Sequence, residues 1–221
     1  MAKSDFNTNV ESLISIFTVE EDKLKILLMR KNTEPYKGYW ILPGSLVKND
    51  ETIEDNITNT IYDKLGLVSL YLEQSHTYSS LDRNPDDRVI AVNYIGLVDS
   101  VTLLLKREER EDIETGWFNI NDLPKLGYDH ANIIEKTLTI LGKKLNSVYY
   151  IRNLFPADFT LPELERVLTS LLDRNVDRRN FRKRLIKLNI IEETGEKTEG
   201  NNGRPAKLYR FKDDVKDVPI F

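Results

Sequence analysis

Seven cations crowd into fourteen positions towards the C-terminal end: Arg174, Arg178, Arg179, Arg182, Lys183, Arg184 and Lys187, opposed there by Asp177 alone. On a helical wheel Phe181, Leu185 and Leu188 fall on one side, and Arg179, Arg182 and Lys183 on the other. A helix with one wall for a core and one of cations can neutralise phosphates and release their counterions. That chemistry predicts salt-steep binding to duplex DNA. Arg and Asn also read purine edges in the major groove, which places Arg179, Asn180 and Lys183 nearest the bases, with Arg178, Arg182 and Lys187 beside them. Farther on, Arg204 and Lys207 belong to a basic hairpin, and Arg204 at its tip is placed to enter an adjacent minor groove. The plainer alternative for these two is a solubilising role.

A second stretch, Gly44–Leu67, reads as a glycine turn, a polar loop and an amphipathic helix. Thr52 is a natural N-cap, with Asp55 three residues on near the positive helix end and Gly66 after the last apolar residue. Ile53, Ile57, Ile61 and Leu65 recur every four residues and form one apolar stripe.

This spacing resembles the Nudix box, the signature of hydrolases acting on nucleoside diphosphates linked to another moiety. Glu51 matches its first acid, Ile61 its aliphatic position, and Gly66 and Leu67 its end. The catalytic positions depart from it: Ser45 replaces the opening glycine, Asn59 and Thr60 replace Arg-Glu, and Asp63 and Lys64 replace Glu-Glu. Acids at 60, 63 and 64 would share one helical face and hold hard divalent cations through oxygen. Here the three are a hydroxyl, a shorter acid and an ammonium that repels the ion it should gather. No catalytic residue, metal ligand or cofactor is expected.

The box lies in a suitable order of elements. Ser12–Val19 and Leu24–Lys31 read as a hairpin, and after the box come strands over Leu70–Ser80, Val89–Val98 and the TGWFNI segment, then a helix over Asp129–Leu145. Asn146–Phe159 reads as a connector. A capping box, Thr160 with Glu163, then opens a helix carrying Leu164, Val167, Leu168 and Leu171. A short turn leads to the basic helix with Asp177 as its N-cap. IIEET and KLYRF form strands around a Gly- and Asn-rich loop.

A degenerate Nudix domain followed by a basic winged helix resembles the Nudix-related transcriptional regulators of the NrtR type. The marks are WILPGSLV, LDRNPDDR, FTLPELERVL, DRRNFRKRL and GRPAKLYRF, in that order. The expected fold class is α/β: a Nudix-type α/β/α sandwich over 1–146, then a small winged helix-turn-helix domain over 147–221. The resemblance implies a homodimeric repressor binding duplex operator DNA, with a small-molecule effector that the Nudix-like domain binds without hydrolysis. In the NAD-metabolism branch that effector is ADP-ribose, and in others a sugar such as arabinose.

Candidate effector residues follow from chemistry. Arg30, Arg83 and Arg88 could grip an anion bidentately, or could pair with the neighbouring Asp82, Asp86 and Asp87. Asp82 could accept from ribose hydroxyls. Tyr39 and Trp40 offer a face to a base or sugar, or belong to the core. His130 reads as a capping or packing residue. The enzymatic alternative is a hydrolase whose acid has moved to Glu108, Glu109, Glu111 or Asp112; a third reading is an RNA- or protein-binding module.

Composition agrees with a soluble cytoplasmic protein. Of 221 residues, 40% are hydrophobic and 31% charged, with no cysteine and two histidines. No apolar run reaches membrane-spanning length, and the N-terminus has no signal-peptide core. Net charge is −4 but uneven: residues 1–146 hold 17 Lys+Arg against 24 Asp+Glu (−7), and residues 147–221 hold 15 against 12 (+3).

Overall fold

The computed structural model describes residues 8–21, 23–67, 70–99, 113–172, 178–198, 205–213 and 219. Its centre is β1 (Asn9–Glu20), in which eight consecutive residues, Ser12–Val19, are buried. A strand buried without interruption is covered on both faces, and here the run includes the polar Ser12, Ser15 and Thr18. Leu13, Phe17 and Val19 enter one apolar cluster, and Ile14 and Ile16 enter another. The period-two alternation of a strand thus sorts one run of residues into two layers.

β1 pairs antiparallel with β2 (Lys23–Arg30) across the charged turn and parallel with β6 (Val89–Leu97). β5 (Tyr71–Tyr78) closes the edge against β6, with a bulge between Gln74 and His76. β3 (Trp40–Ile41) and β7 (Thr115–Asn119) pair with β2, and β4 (Gly44–Leu46) pairs with β1, completing a seven-stranded mixed sheet.

One face carries α1 (Ile53–Asn59), which starts as its sequence requires: Thr52 Oγ1 accepts from the Asp55 amide and Asp55 returns a bond to the Thr52 amide, each at 3.1 Å. Such a cap contributes about 1 kcal/mol. The helix widens into a π-helical turn over Thr60–Lys64 and stops at Gly66, whose φ of 62° suits a residue without Cβ. Ile57 and Ile61 are buried against Ile14, Ile16, Val92 and Tyr94.

The other face carries α2 (His130–Lys144), which buries Ile133, Ile134 and Leu141. It is also pinned through polar atoms: Ser15 Oγ donates to Asn93, Asn93 Nδ2 to Thr137 Oγ1, and Thr137 to the Ile133 carbonyl.

The expected connector is not irregular. It contains α3 (Val148–Leu154), which buries Val148, Ile151 and Leu154 and packs on β1 and β6. Seven residues are too few for a helix that is stable by itself; the sheet beneath makes it one. Next come β8 (Asp158–Thr160), α4 (Leu161–Leu172), α5 (Arg178–Leu188), β9 (Ile191–Lys197) and β10 (Lys207–Phe211). The capping box of α4 forms, with the Glu163 amide donating to Thr160 Oγ1 at 3.2 Å. β8 pairs with β10, which pairs with β9, so the hairpin supplies the central strand and one edge of a three-stranded sheet. α4 rests on α2 and β2, and one apolar cluster runs from Leu13 through Ile151 and Phe159 to Phe211. No helix among the described residues is long and apolar enough to cross a membrane.

Candidate effector and DNA-binding sites

The box residues converge beneath β4. Gly44 lies so close to β1 that a Cβ there would stand 2.2 Å from the Ser12 carbonyl oxygen, so no other residue fits. Its own carbonyl is held in place and accepts from Lys64 Nζ at 2.8 Å. Around it runs a network of neutral side chains that ends on the Glu51 carboxylate. Buried Asn56 accepts from Ser12 Oγ at 2.6 Å and Ser45 Oγ at 3.1 Å, and donates to Leu46 O and Glu51 Oε1. Thr60, also buried, exchanges a hydrogen bond with Ser45 at 3.0 Å. Glu51 accepts from the Lys48 amide and from Asn56, which hold its carboxyl below the usual range. Asp63 is exposed. This donor set does not fit a hard divalent cation. The three box positions present a hydroxyl tied to serine, an acid turned to solvent, and an ammonium on the carbonyl a cation would take.

Arg83 does not lie at the surface as an anion-gripping residue should. Its side chain is 2% exposed; one nitrogen donates to Glu11 at 3.2 Å, and Nε and the other terminal nitrogen embrace Asp129 at 3.3 and 3.1 Å. Its partners are therefore not the adjacent aspartates. A guanidinium between two half-buried carboxylates is held to neutralise them, and it fixes β1 to the start of α2. Burial raises the Glu11 carboxyl pKa against the pull of Arg83. Burial also lowers that of Lys64, and the Glu11 charge opposes the shift.

The remaining candidates also meet partners. Arg30 pairs with Glu114 at 3.1 Å. Arg88 donates to the carbonyls of Ser79 and Ser80, and Asp82 accepts from Ser80 Oγ, which lowers its pKa. Trp40 packs edge-on against Phe118 at 4.6 Å and joins the core. Tyr39 instead joins a cluster that the sequence did not reveal. Tyr36 lies 5.5 Å from Tyr39 and 4.7 Å from Tyr128, with Lys125 Nζ 4.4 Å from the Tyr39 ring and Lys31 Nζ 5.8 Å from that of Tyr128. Tyr36 and Tyr128 both hold positive φ, 69° and 53°, a conformation bulky residues rarely adopt. The aromatic run around Gly38 was the available signal; Tyr128 was beyond it, because only the fold brings it against Tyr36.

His130 is buried, and its Nδ1 accepts from the Leu42 amide at 2.9 Å, as a packing residue would. Burial first, and the Arg83 charge second, push its pKa down to about 3, so the ring is neutral at physiological pH.

In the C-terminal region Phe181 and Leu185 are buried, while Asn180, Arg182, Lys183, Arg184 and Lys187 are exposed, as the helical wheel requires. Arg178 opens α5; the side chains of Arg178 and Arg179 lie outside the described residues, as do Arg174, Asp177, Arg204 and Glu108, Glu109, Glu111 and Asp112. Lys207 pairs with Glu193 across the hairpin at 2.8 Å, which raises its pKa. The charge of Arg182 on the helix opposes that rise slightly.

A NUDIX domain matches residues 12–137, and the NrtR DNA-binding winged helix domain matches residues 151–211. The chain belongs to the NUDIX family, with an NrtR-type winged helix at its C-terminal end. It is 29% identical over 214 residues to the ADPR responsive transcriptional repressor NtrR of Acinetobacter baylyi, covering 95% of this chain and 84% of that one. Over 117 residues it is 36% identical to an ADP-ribose pyrophosphatase of Methanocaldococcus jannaschii, covering 53% of this chain and 67% of the other. The crystal structure of Shewanella oneidensis NrtR complexed with a 27mer DNA is similar throughout, with a TM-score of 0.78, 28% identity, and coverage of 92% and 93%.

Proposed function

We propose that this chain is a ligand-responsive transcriptional repressor that reads a duplex operator through α5 and senses ADP-ribose, or a related metabolite of NAD metabolism, with a NUDIX unit that does not hydrolyse it. The observation that carries this reading is the division of α5, anchored through Phe181 and Leu185 and offering Asn180, Arg182, Lys183 and Lys187 to solvent beside the wing. Arg178, Arg179, Arg204 and Lys207 complete the proposed contact set. Similarity to a repressor along nearly the whole chain supports it.

The protein acts in the cytoplasm as a homodimer, whose two readers set the half-site spacing at about one helical turn or a multiple of it. The effector alters binding only through unequal affinity for the DNA-bound and free arrangements. The seat of α4 on β2 and α2 offers the route, because a change in the sheet shifts the platform on which the reader stands.

Selection from a randomised duplex library, followed by shift assays with added ADP-ribose or arabinose, tests the proposal. A two-part motif whose affinity responds to ADP-ribose is expected; a response to arabinose would move the effector to the pentose class. The identity to a pyrophosphatase favours a second reading, a hydrolase with acids drawn from Glu108, Glu109, Glu111 or Asp112. Magnesium-dependent turnover of ADP-ribose without duplex preference would establish that reading and overturn the first.

A further inference from the structure

We propose that Lys64 is the tethered cation of the effector site: its ammonium takes the place of the divalent metal and holds the effector's diphosphate, which makes sensing independent of metal. This rests on the reading of ADP-ribose as effector and extends it to the chemistry of recognition. A NUDIX hydrolase needs cations because its ligand carries a diphosphate, whose charge must be balanced in the bound state. The box here, with a tied hydroxyl, a solvent-facing acid and an ammonium, cannot gather a divalent ion. The need for positive charge remains as long as the ligand is a diphosphate.

Three observations place Lys64 in that role. Its ammonium occupies the last acid position of the box and lies on the Gly44 carbonyl, an oxygen whose position is fixed by the close approach of β4 to β1. Hard cations take such carbonyl oxygens. The ammonium carries three donors, and one of them is directed at Gly44. Burial lowers the Lys64 pKa, and the charge of its neighbour Glu11, itself paired with Arg83, opposes that shift. The cations first suspected of gripping the ligand are engaged elsewhere: Arg83 by Glu11 and Asp129, Arg30 by Glu114, and Arg88 by two backbone carbonyls. Half-buried on the π-helical turn, Lys64 is held by its surroundings, and little ordering is left to be done when an anion arrives.

The test is calorimetric titration of the full chain with ADP-ribose, in EDTA and again in magnesium. The wild type is expected to bind with the same affinity in both. Lys64→Met should weaken binding tenfold or more, as loss of a charge-assisted bond requires, and Lys64→Arg should restore it to within about threefold of the wild type. Thermal melting confirms that each variant is folded. Should Lys64→Met fail to fold, the magnesium arm of the wild type still decides the matter. Unchanged affinity in Lys64→Met, or wild-type binding that requires magnesium, overturns the tethered cation and leaves the effector assignment standing. Failure of the wild type to bind ADP-ribose in either condition overturns both, and is visible without any variant.

Discussion

Arg83 and Arg182 carry the same guanidinium into opposite surroundings. Arg83 is enclosed by Glu11 and Asp129, its charge used up in holding a strand to a helix. Arg182 stands on α5 in solvent, on a helix whose anchoring is left to Phe181 and Leu185. Beside the box, polar groups satisfy one another in the same way, through the Ser12–Asn56–Ser45–Thr60 network. In the reader, apolar groups do the holding and polar groups face outward. A side chain's identity therefore says less about its role than whether its neighbours have already met its needs.

Substitution separates the two most sharply at Arg83. Arg83→Met should cost about 3–5 kcal/mol of stability, because two carboxylates lose their counter-charge in a poorly solvated place. Chemical denaturation measures it, and a loss below about 1 kcal/mol would mean that water reaches the cluster.

The next effect is in pH. The folded pKa of His130 is depressed to about 3 from an ordinary 6.5, so the unfolded chain binds the proton more readily. The stability that follows is present above pH 6.5 and is lost as pH falls toward 3, about 2 kcal/mol of it by pH 5. Denaturation at pH 7 and pH 5 should show that loss in the wild type and a shallower one in His130→Gln; equal slopes would place the acid sensitivity elsewhere.

The smallest change in stability comes from the reader. Arg182→Ala with Lys183→Ala should alter unfolding by less than about 0.5 kcal/mol, as exposed substitutions do. The same pair should weaken duplex binding about tenfold or more and lower the salt slope by about 0.9 for each phosphate no longer neutralised. Shift assays over a range of salt read both quantities, and an unchanged slope would remove α5 from the DNA interface.

What the sequence disclosed was what depends on near neighbours. The Thr52 and Thr160 caps, the Ile57–Ile61 stripe and the Phe181–Leu185 wall are settled within one or two helical turns, and each is present in the fold. α3 and β8 escaped notice because both are short and are made by their partners, the sheet in one case and β10 in the other. The candidate effector residues were legible in their chemistry but not in their pairing. Arg83 meets Glu11 across 72 positions and Asp129 across 46, distances at which a local search selects the wrong acids. The same limit hid Tyr128, which lies far along the chain from Tyr36 and meets it only where two loops cross.

One apolar cluster from Leu13 to Phe211 joins the sheet to the reader. Among the described residues the reader shares its core with the sheet, and the two meet where α4 rests on β2.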